Sequence, residues 1–256
     1  MELVVVGSSG SASGPDNPAS CYLVRTEAGQ VVLDLGPGAF GALYGVTDPA
    51  TPDAVVLSHL HADHCLDLIA LKVAARHGLK DHWRQLPLVT PQHALVRLAQ
   101  AELTEPATPE ALAEGVDTYA EVFRHLQITD TGSVGPFGMR VARVAHPVEA
   151  YAIRLEAEGR SLVYSGDTGP CDALVELATG ADVLLAEAGF ADRDDVPPGV
   201  HLTGRQAGEA ATAAGVGTLV LTHLAPWADV EATVAAASEA YAGPIEVARP
   251  GMRLTI

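Results

Sequence analysis

The sequence predicts an α/β fold that forms a single domain over residues 1–256. Short β-branched runs alternate with stretches of helical periodicity, which is the pattern of strands and helices in one layered structure. No linker divides the sequence, and 256 residues are enough to bury one large core. Hydrophobic residues make up 48% of the chain and charged residues 18%, which is typical of a globular protein.

Short apolar runs predict strands, which lie at residues 2–6, 21–26, 30–35, 54–58, 138–145, 150–155, 161–165, 182–186 and 218–222. Apolar residues at helical spacing predict helices, which lie at residues 66–77, 91–103, 170–179, 203–214 and 229–241. The segment 103–118 mixes proline with acidic residues and predicts a surface excursion. The apolar run at 3–6 has no basic segment before it, so we interpret it as a strand and not a signal peptide. No apolar run approaches the roughly eighteen residues of a membrane span.

Charge and cysteine content limit the partners and the compartment. The chain has 32 acidic and 15 basic residues, a formal net charge of −17, and no run of lysine or arginine. Proteins that bind long nucleic acids usually carry a basic face, so this balance disfavours such a partner. The three cysteines, Cys21, Cys65 and Cys171, are widely spaced and odd in number. This argues against a disulfide framework and favours a cytoplasmic location.

Side chains with metal-binding chemistry follow four of the predicted strands. The segment His59-Leu60-His61-Ala62-Asp63-His64 follows strand 54–58, and later strands are followed by His146, Asp167 and His223. Because strand ends in α/β folds meet at one edge of the structure, we expect these side chains to converge. A further segment, His201-Leu202-Thr203, comes just before the helix predicted at 203–214.

The cluster at 59–64 is the strongest local signal. Chance would produce His-x-His-x-Asp-His in about one of a thousand sequences of this composition. Its spacing differs from the i, i+4 pairing of helical ligands and predicts a tight loop whose side chains surround two centres. Histidine nitrogen and aspartate oxygen together suit Zn²⁺ and, less specifically, Mn²⁺ or Fe²⁺. A polar loop of hydrogen-bonded histidines is the alternative, which the three further candidate ligands disfavour.

Taken together, these motifs resemble the metallo-β-lactamase superfamily. The matching segments are His59-x-His61-x-Asp63-His64, His146, Asp167 within Ser-Gly-Asp-Thr, and Thr222-His223, and the likeness spans nearly the whole chain. More narrowly, they resemble the phosphodiesterase branch of this superfamily, which includes ribonuclease Z. The resemblance implies a four-layer αββα metallo-β-lactamase sandwich with a site for two divalent metal ions at one edge.

The resemblance also implies how the ligands divide between the metals. The first metal would be held by His59, His61 and His146, and the second by Asp63, His64 and His223, with Asp167 bridging both. A hydroxide shared by the two cations would attack the substrate, because the metals lower its pKa toward neutrality. Asp34 would be a buried carboxylate that orients a ligand histidine or the loop, with an ordinary turn residue as the alternative.

The catalytic residues implied by the resemblance are His201, Glu187 and Asp63, the last being also a metal ligand. Thr203-Gly204-Arg205-Gln206 fits a capping box, so His201 precedes a helix N-terminus, where amide donors favour a phosphate. In ribonuclease Z-like enzymes a histidine in the matching His-x-Thr segment assists phosphodiester cleavage. Glu187 would orient His201, and an ordinary polar residue at a strand end is the alternative for it.

The spacing between His146 and Asp167 bears on the substrate. Ribonuclease Z proteins usually insert here a long arm that grips tRNA, whereas 21 positions leave room for only two strands and a turn. The segments 14–21, 165–171 and 222–227 are similar to an arm-less bacterial group that includes cAMP phosphodiesterases. The resemblance therefore implies hydrolysis of a cyclic or small nucleotide phosphodiester to the monoester. Loop 14–20 and Trp227 would flank the base or, alternatively, serve only in packing.

Other functions stay open at this point. A ribonuclease Z-like nuclease acting on short RNA ends is one, and a hydrolase of thioesters, lactones or sulfate esters is a second, since this superfamily uses one metal site for many reactions. A metal-bound sensor without hydrolysis is a third. The resemblance also implies a homodimer. The remaining histidines match no motif position and are predicted to be ordinary surface or core residues: His77, His82, His93 and His125.

Overall fold

Two mixed β-sheets pack face to face in the computed structural model, which describes residues 1–78, 83–193 and 195–256. The strands, numbered along the chain, are β1 Glu2–Gly7, β2 Cys21–Thr26, β3 Gly29–Leu33, β4 Ala54–Val56, β5 Leu86–Thr90, β6 Phe123–Gln127, β7 Thr131–Val134, β8 Phe137–Arg143, β9 Tyr151–Ala157, β10 Arg160–Tyr164, β11 Val183–Glu187, β12 Thr218–Thr222, β13 Ile245–Val247 and β14 Arg253–Thr255. The helices are α1 Ala39–Leu43, α2 Ala62–Cys65, α3 Asp67–His77, α4 Ala94–Glu102, α5 Pro109–Val122, α6 Asp172–Ala178, α7 Gly204–Ala214 and α8 Val230–Ala240.

Each half of the chain builds most of one sheet, and the C-terminal strand β14 joins the edge of the first sheet beside β1. The first sheet has the strand order β14-β1-β2-β3-β4-β5-β6, and the second has the order β13-β12-β11-β10-β9-β8-β7. Strands β3 to β6 are parallel neighbours in the first sheet, as are β10 to β13 in the second. Their carboxyl ends are where open α/β sheets place ligands, and the candidate ligands after β4, β10 and β12 lie at such ends.

Three hydrophobic layers hold the sheets and helices together. Between the sheets, Leu3 and Val5 of β1 pack in one cluster with side chains of the second sheet such as Phe137. The alternate residues of β1, Val4 and Val6, point to the other face, where they join a cluster with α1, α3, α4 and α5. A third cluster joins the outer face of the second sheet to α6, α7 and α8. The order helix, sheet, sheet, helix confirms the predicted αββα sandwich.

The segment 103–118, predicted to be a surface excursion, lies at the surface, but from Pro109 onward it is helical. Helix α5 begins at Pro109, where Thr108 Oγ1 accepts a hydrogen bond from Ala111 N (3.1 Å), and it buries Tyr119 and Val122. A threonine followed by proline is a helix start signal, because proline fits the first helical position and threonine caps it. The exposed acidic face of α5 is the reason that the segment was predicted to be a surface excursion and not a helix.

Several short elements were not predicted from the sequence. They are β5, β6, β7, β13, β14, α1 and α2. Strand β6 has four exposed residues after Phe123, so it lacks the apolar alternation on which strand prediction depends. The nine predicted strands and the five predicted helices are present with bounds shifted by a few residues. None of the helices in the described ranges combines the length and the apolar character needed to span a bilayer.

Candidate metal centre

The segment after β4 supplies four of the candidate ligands. His59 follows the buried Ser58, and His61 is the extended residue that caps the N-terminus of α2. Asp63 and His64 then lie on α2 itself, so the predicted tight loop is correct only for its first half. One helical turn carries the second half, and it points neighbouring side chains in different directions.

The second sheet supplies the other three candidate ligands. His146 lies three residues after β8, Asp167 lies three residues after β10, and His223 directly follows β12. Gly166 precedes Asp167 with φ of +57°, and a Cβ atom there would lie 2.8 Å from Tyr151 O and 3.0 Å from Ser58 Cβ. A glycine is required at this position because the turn is left-handed and closely packed against the strand end that leads to His59.

The seven predicted ligands lie together in two groups that share Asp167. The first group is His59, His61, His146 and Asp167, and the second is Asp63, His64, His223 and Asp167. Within each group the ligand atoms all lie within 4.8 Å of one another. This sharing is the geometry in which one carboxylate can serve two cations.

Individual distances match the edges of a coordination polyhedron. His61 Nδ1 lies 3.1 Å from both His59 Nε2 and His146 Nε2. In the second group, Asp167 Oδ1 lies 3.2 Å from His64 Nε2 and Asp167 Oδ2 lies 3.4 Å from His223 Nε2. Metal–ligand distances of about 2.0–2.1 Å around a tetrahedron imply ligand separations of about 3.3 Å. The donor atoms are therefore spaced as they would be around metal ions.

Four of the histidines are held by their Nδ1 atoms so that Nε2 faces the centre. His64 Nδ1 donates to Asp34 Oδ2 (2.7 Å), and His146 Nδ1 donates to the carbonyl of Val200 (2.8 Å). His59 Nδ1 lies 3.0 Å from Ser58 Oγ, and His223 Nδ1 lies 3.1 Å from Ser20 Oγ. With the ring hydrogen on Nδ1, the Nε2 lone pair of each ring would point into the centre.

The donor set fits metal ions and is poorly satisfied without them. Among the described residues, the buried side-chain atoms without a hydrogen-bond partner include His64 Nε2, His223 Nε2 and Asp167 Oδ1, all at the centre. Buried polar atoms are nearly always paired, so three such atoms on neighbouring residues fit a site that binds a cation. Burial lowers the pKa of His59 well below its usual value and that of His223 to about 4, which leaves both as neutral ligands.

His64 shows that the centre favours positive charge. Burial works to lower the pKa of its imidazole, yet the Asp167 and Asp34 carboxylates outweigh burial and raise it well above the usual value. A proton on His64 or a divalent cation beside it can supply the charge that Asp167 requires. Nitrogen and carboxylate oxygen ligands are the set that zinc prefers in proteins.

Asp34 is a buried residue whose carboxylate holds the ligand segment 59–64 in place through several hydrogen bonds. Its Oδ1 accepts from Ser58 N (2.7 Å), and its Oδ2 accepts from Ser58 Oγ (2.7 Å), Tyr164 OH (2.8 Å) and His64 Nδ1. The residue is fully buried, and its φ of +56° is unusual for a residue other than glycine. Of the two interpretations left open by the sequence, the geometry favours the orienting carboxylate over an ordinary turn residue.

His201 and Glu187 form a separate pair at the edge of the two groups. His201 Nδ1 donates to Glu187 Oε1 (2.9 Å) and lies 3.8 Å from Asp167 Oδ2. Glu187, the last residue of β11, is itself fixed by Thr168 N on Oε1 (2.8 Å) and Gly189 N on Oε2 (2.9 Å). The capping box is present, with Thr203 and Gln206 each accepting from the backbone nitrogen of the other.

Several residues of the centre gave no signal that singled them out from the sequence. Ser20 and Tyr164 contact ligands from remote positions, and Ser11 N donates to Asp63 Oδ2 (2.9 Å). Ser20 does lie within the motif 14–21, which is the one feature that could have pointed to it. In the described ranges, His77, His93 and His125 belong to neither group, while His82 lies outside those ranges.

A sandwich of this kind with a histidine–aspartate centre is typical of metal-dependent hydrolases. Comparison with known proteins identifies the family. A profile of the Beta-lactamase superfamily domain matches residues 30–224. The chain belongs to the metallo-β-lactamase superfamily and is a metal-dependent hydrolase.

Its similarity to individual proteins covers nearly the whole chain. An uncharacterized protein of Mycobacterium leprae is 41% identical over 255 residues, which is 98% of this chain and 87% of that protein. Ribonuclease Z of Mycobacterium bovis is 31% identical over 280 residues, which is 96% of this chain and 95% of that enzyme. The crystal structure of the metallo-β-lactamase fold protein YhfI from Bacillus subtilis has a TM-score of 0.84 and 26% identity, covering 99% of this chain and 98% of that one.

Proposed function

We propose that this hydrolase is a dinuclear phosphodiesterase that converts a small or cyclic nucleotide phosphodiester, such as cAMP, to the monoester. The observation that carries the proposal is the His201–Glu187 pair beside the shared carboxylate of Asp167. An alkoxide leaving group requires a proton, so a histidine acid beside a metal centre suits phosphodiester cleavage. A thioester leaves a much less basic sulfur and needs such an acid less.

The chain's own residues would hold the metals and the proton. We propose His59, His61 and His146 for one cation and Asp63, His64 and His223 for the other, with Asp167 between them. Zn²⁺ is our first choice, with Mn²⁺ and Fe²⁺ as alternatives. When bound, the two cations would lower the pKa of a water molecule and polarise the phosphoryl oxygens.

The proton would be held by His201 and Glu187 together. Burial raises the pKa of Glu187 to about 7, and the hydrogen bond joins it to the His201 ring. For His201, burial lowers the pKa, but the hydrogen bond and charge of Glu187 outweigh it and raise the pKa above the usual value. The pair therefore holds a shared proton near neutral pH, with His201 Nε2 as the atom that faces the leaving oxygen.

A small substrate is supported by the link between the two sets of ligands. Strands β9 and β10 fill most of the segment between His146 and Asp167, and they are joined by a tight turn at Glu158 and Gly159, both with positive φ. No arm leaves the sandwich there, as the spacing predicted. The net charge of −17 also opposes binding of a long polyanion. Loop 14–20 and the largely exposed Trp227 remain our candidates for contact with a base.

A ribonuclease Z-like activity on RNA ends is the second candidate. It is favoured by the 31% identity to ribonuclease Z over nearly the full length of both chains. Metal-loaded protein should be assayed with 3′,5′-cAMP, 2′,3′-cyclic nucleotides and a precursor tRNA. We expect turnover of the small diesters, and turnover of the precursor tRNA alone would make the second candidate the correct one.

The variant His201→Ala separates phosphodiester cleavage from the thioester, lactone or sulfate-ester alternative. We expect it to lose most diester turnover while the metal content stays unchanged. His77→Ala is the matched control, because His77 is exposed at the end of α3 and belongs to neither metal group. Full diester turnover by His201→Ala would contradict the role given to this residue. Full turnover of a thioester substrate by His201→Ala would favour the alternative class.

A further inference from the structure

A pocket of about 610 Å³ opens beside His61, and His201 and Glu187 are not among its lining residues. One of its walls is a single face of α4 with its capping residue, formed by His93, Val96, Arg97 and Gln100 at helical spacing. The volume lies within the range of about 300–1,000 Å³ that is usual for small-molecule sites. Nothing in the proposed reaction at His201 and Glu187 uses this pocket.

Arg97 is the unusual residue of this wall. It is half-buried, yet it has no side-chain hydrogen bond or ion pair among the residues that the structure describes. The other arginines in the described ranges that also lack an ion pair are all exposed: Arg124, Arg143 and Arg249. Arginine is rarely buried without a partner, and this chain has an excess of acidic residues from which to supply one.

The nearby carboxylate of the pocket is engaged elsewhere. Glu149 lines the same cavity, but its Oε1 accepts from Tyr151 OH (2.8 Å) and its Oε2 lies 3.3 Å from Gln92 N. Within the described ranges, none of the five guanidinium donors of Arg97 has a partner, and the wall of its pocket includes a candidate metal ligand. A planar guanidinium with free donors is the side chain best suited to bind a phosphate.

We infer that Arg97 binds a second phosphate of the substrate, so that the preferred substrate is a short linear phosphodiester with a terminal phosphate, such as a 5′-phosphorylated dinucleotide. The inference rests on the proposed phosphodiesterase function and specifies its substrate class. A cyclic mononucleotide has a single phosphate, which the metal centre would occupy. It would leave Arg97 unpaired, whereas a terminal phosphate on one side of the diester reaches the pocket beside His61 and pairs with it.

The test compares two dinucleotides that differ only in the terminal phosphate, pApA and ApA, with 3′,5′-cAMP as a third substrate. For the metal-loaded wild type we expect kcat/KM to be about 10- to 100-fold higher for pApA than for ApA, from the usual strength of hydrogen bonds to a charged group. In Arg97→Gln, KM for pApA should rise to the value for ApA, while kcat and the turnover of ApA stay unchanged. Arg124→Gln removes an exposed, unpaired arginine outside the pocket and should keep the preference.

Equilibrium binding of pApA and ApA to metal-loaded His201→Ala, with and without Arg97→Gln, measures the same preference without turnover. Equal use and equal binding of pApA and ApA by the wild type would overturn the inference and leave the phosphodiesterase proposal standing. A preference that persists in Arg97→Gln would also overturn it. Absence of hydrolysis of all three diesters would instead refute the proposed function, and the binding ratio would still decide whether Arg97 recognises the phosphate.

Discussion

Replacing Asp34 by asparagine should weaken metal binding without touching any metal ligand. The asparagine keeps the size of the side chain, but one carboxylate oxygen becomes an amide that donates. In either orientation of the amide, this donor faces a group that was donating to Asp34: Ser58 N on one side, or His64 Nδ1 and two hydroxyls on the other. With the amide nitrogen at the Oδ2 position, His64 would lose its fixed orientation toward the metal centre. With the amide nitrogen at the Oδ1 position, the segment that leads to His59 would instead lose its anchor at Ser58 N.

The size of the effect follows from these contacts. The hydroxyls of Ser58 and Tyr164 can rotate and accept, so most of the loss falls on the charged bond to His64 Nδ1 (2.7 Å). A buried hydrogen bond to a charged group contributes about 1.5–3 kcal/mol, and we expect Asp34→Asn to lower the free energy of unfolding by about 2–4 kcal/mol. For a chain of this size that corresponds to a fall in Tm of about 5–15 °C. Metal affinity should fall about 10- to 100-fold.

Competition with a chromophoric chelator measures the metal affinity, and thermal unfolding of the metal-free protein measures the stability. Tyr164→Phe is the matched control, because it removes one donor to Asp34 Oδ2 and leaves the bond to His64 in place. It should lower stability by about 1 kcal/mol and change metal affinity little. If Asp34→Asn bound metal as tightly as the wild type, or no more weakly than Tyr164→Phe, the orienting role of Asp34 would be refuted.

Other variants test the remaining parts of the centre. Asp167→Ala should remove metal and turnover together, because both groups of ligands share this carboxylate, and elemental analysis of the purified variant measures the loss. His201→Ala should retain its metal and lower kcat by about 10²–10⁴, measured with the small diester that the wild type hydrolyses. Gly10→Ala should disturb His223, because a Cβ atom there would lie 2.2 Å from His223 O, whereas Gly41→Ala has open space and should keep wild-type metal content and activity.

Each of these expectations has an outcome that contradicts it. Full metal content in Asp167→Ala would show that neither group depends on the shared carboxylate. Loss of metal from His201→Ala would place this histidine among the ligands, where it could join Asp167 and Glu187. Equal metal content in Gly10→Ala and Gly41→Ala would show that the backbone beside His223 yields easily.

The parts of the structure that the sequence predicts best are those with a local signal. The candidate ligands at 59–64 and the strand before them could be predicted because residue type, spacing and an apolar run coincide within eleven residues. The capping box at Thr203 was found for the same reason and is present. Strand β5, by contrast, contains Pro87, and β6 is mostly exposed, so neither shows the expected alternation.

Contacts between remote residues could not be predicted from one sequence. The bond from Tyr164 to Asp34 spans 130 positions, and that from His223 to Ser20 spans 203 positions. Nothing in the neighbourhood of Tyr164 or Ser20 distinguishes a tyrosine or serine that orients a ligand from one that only packs. Arg97 illustrates the same limit, because its lack of a partner is a property of the folded chain and not of its local sequence.

The division of ligands between the two sheets has a consequence for how the protein keeps its metals. Residues 59–64 come from the half of the chain that builds the first sheet, and His146, Asp167 and His223 come from the half that builds the second. Cations shared by the two sets of ligands would therefore act as a cross-link between the two halves of the sandwich. Metal affinity would then depend on how the two sheets pack against each other. A substitution that creates a cavity deep between the sheets, far from any ligand, should therefore speed the release of metal.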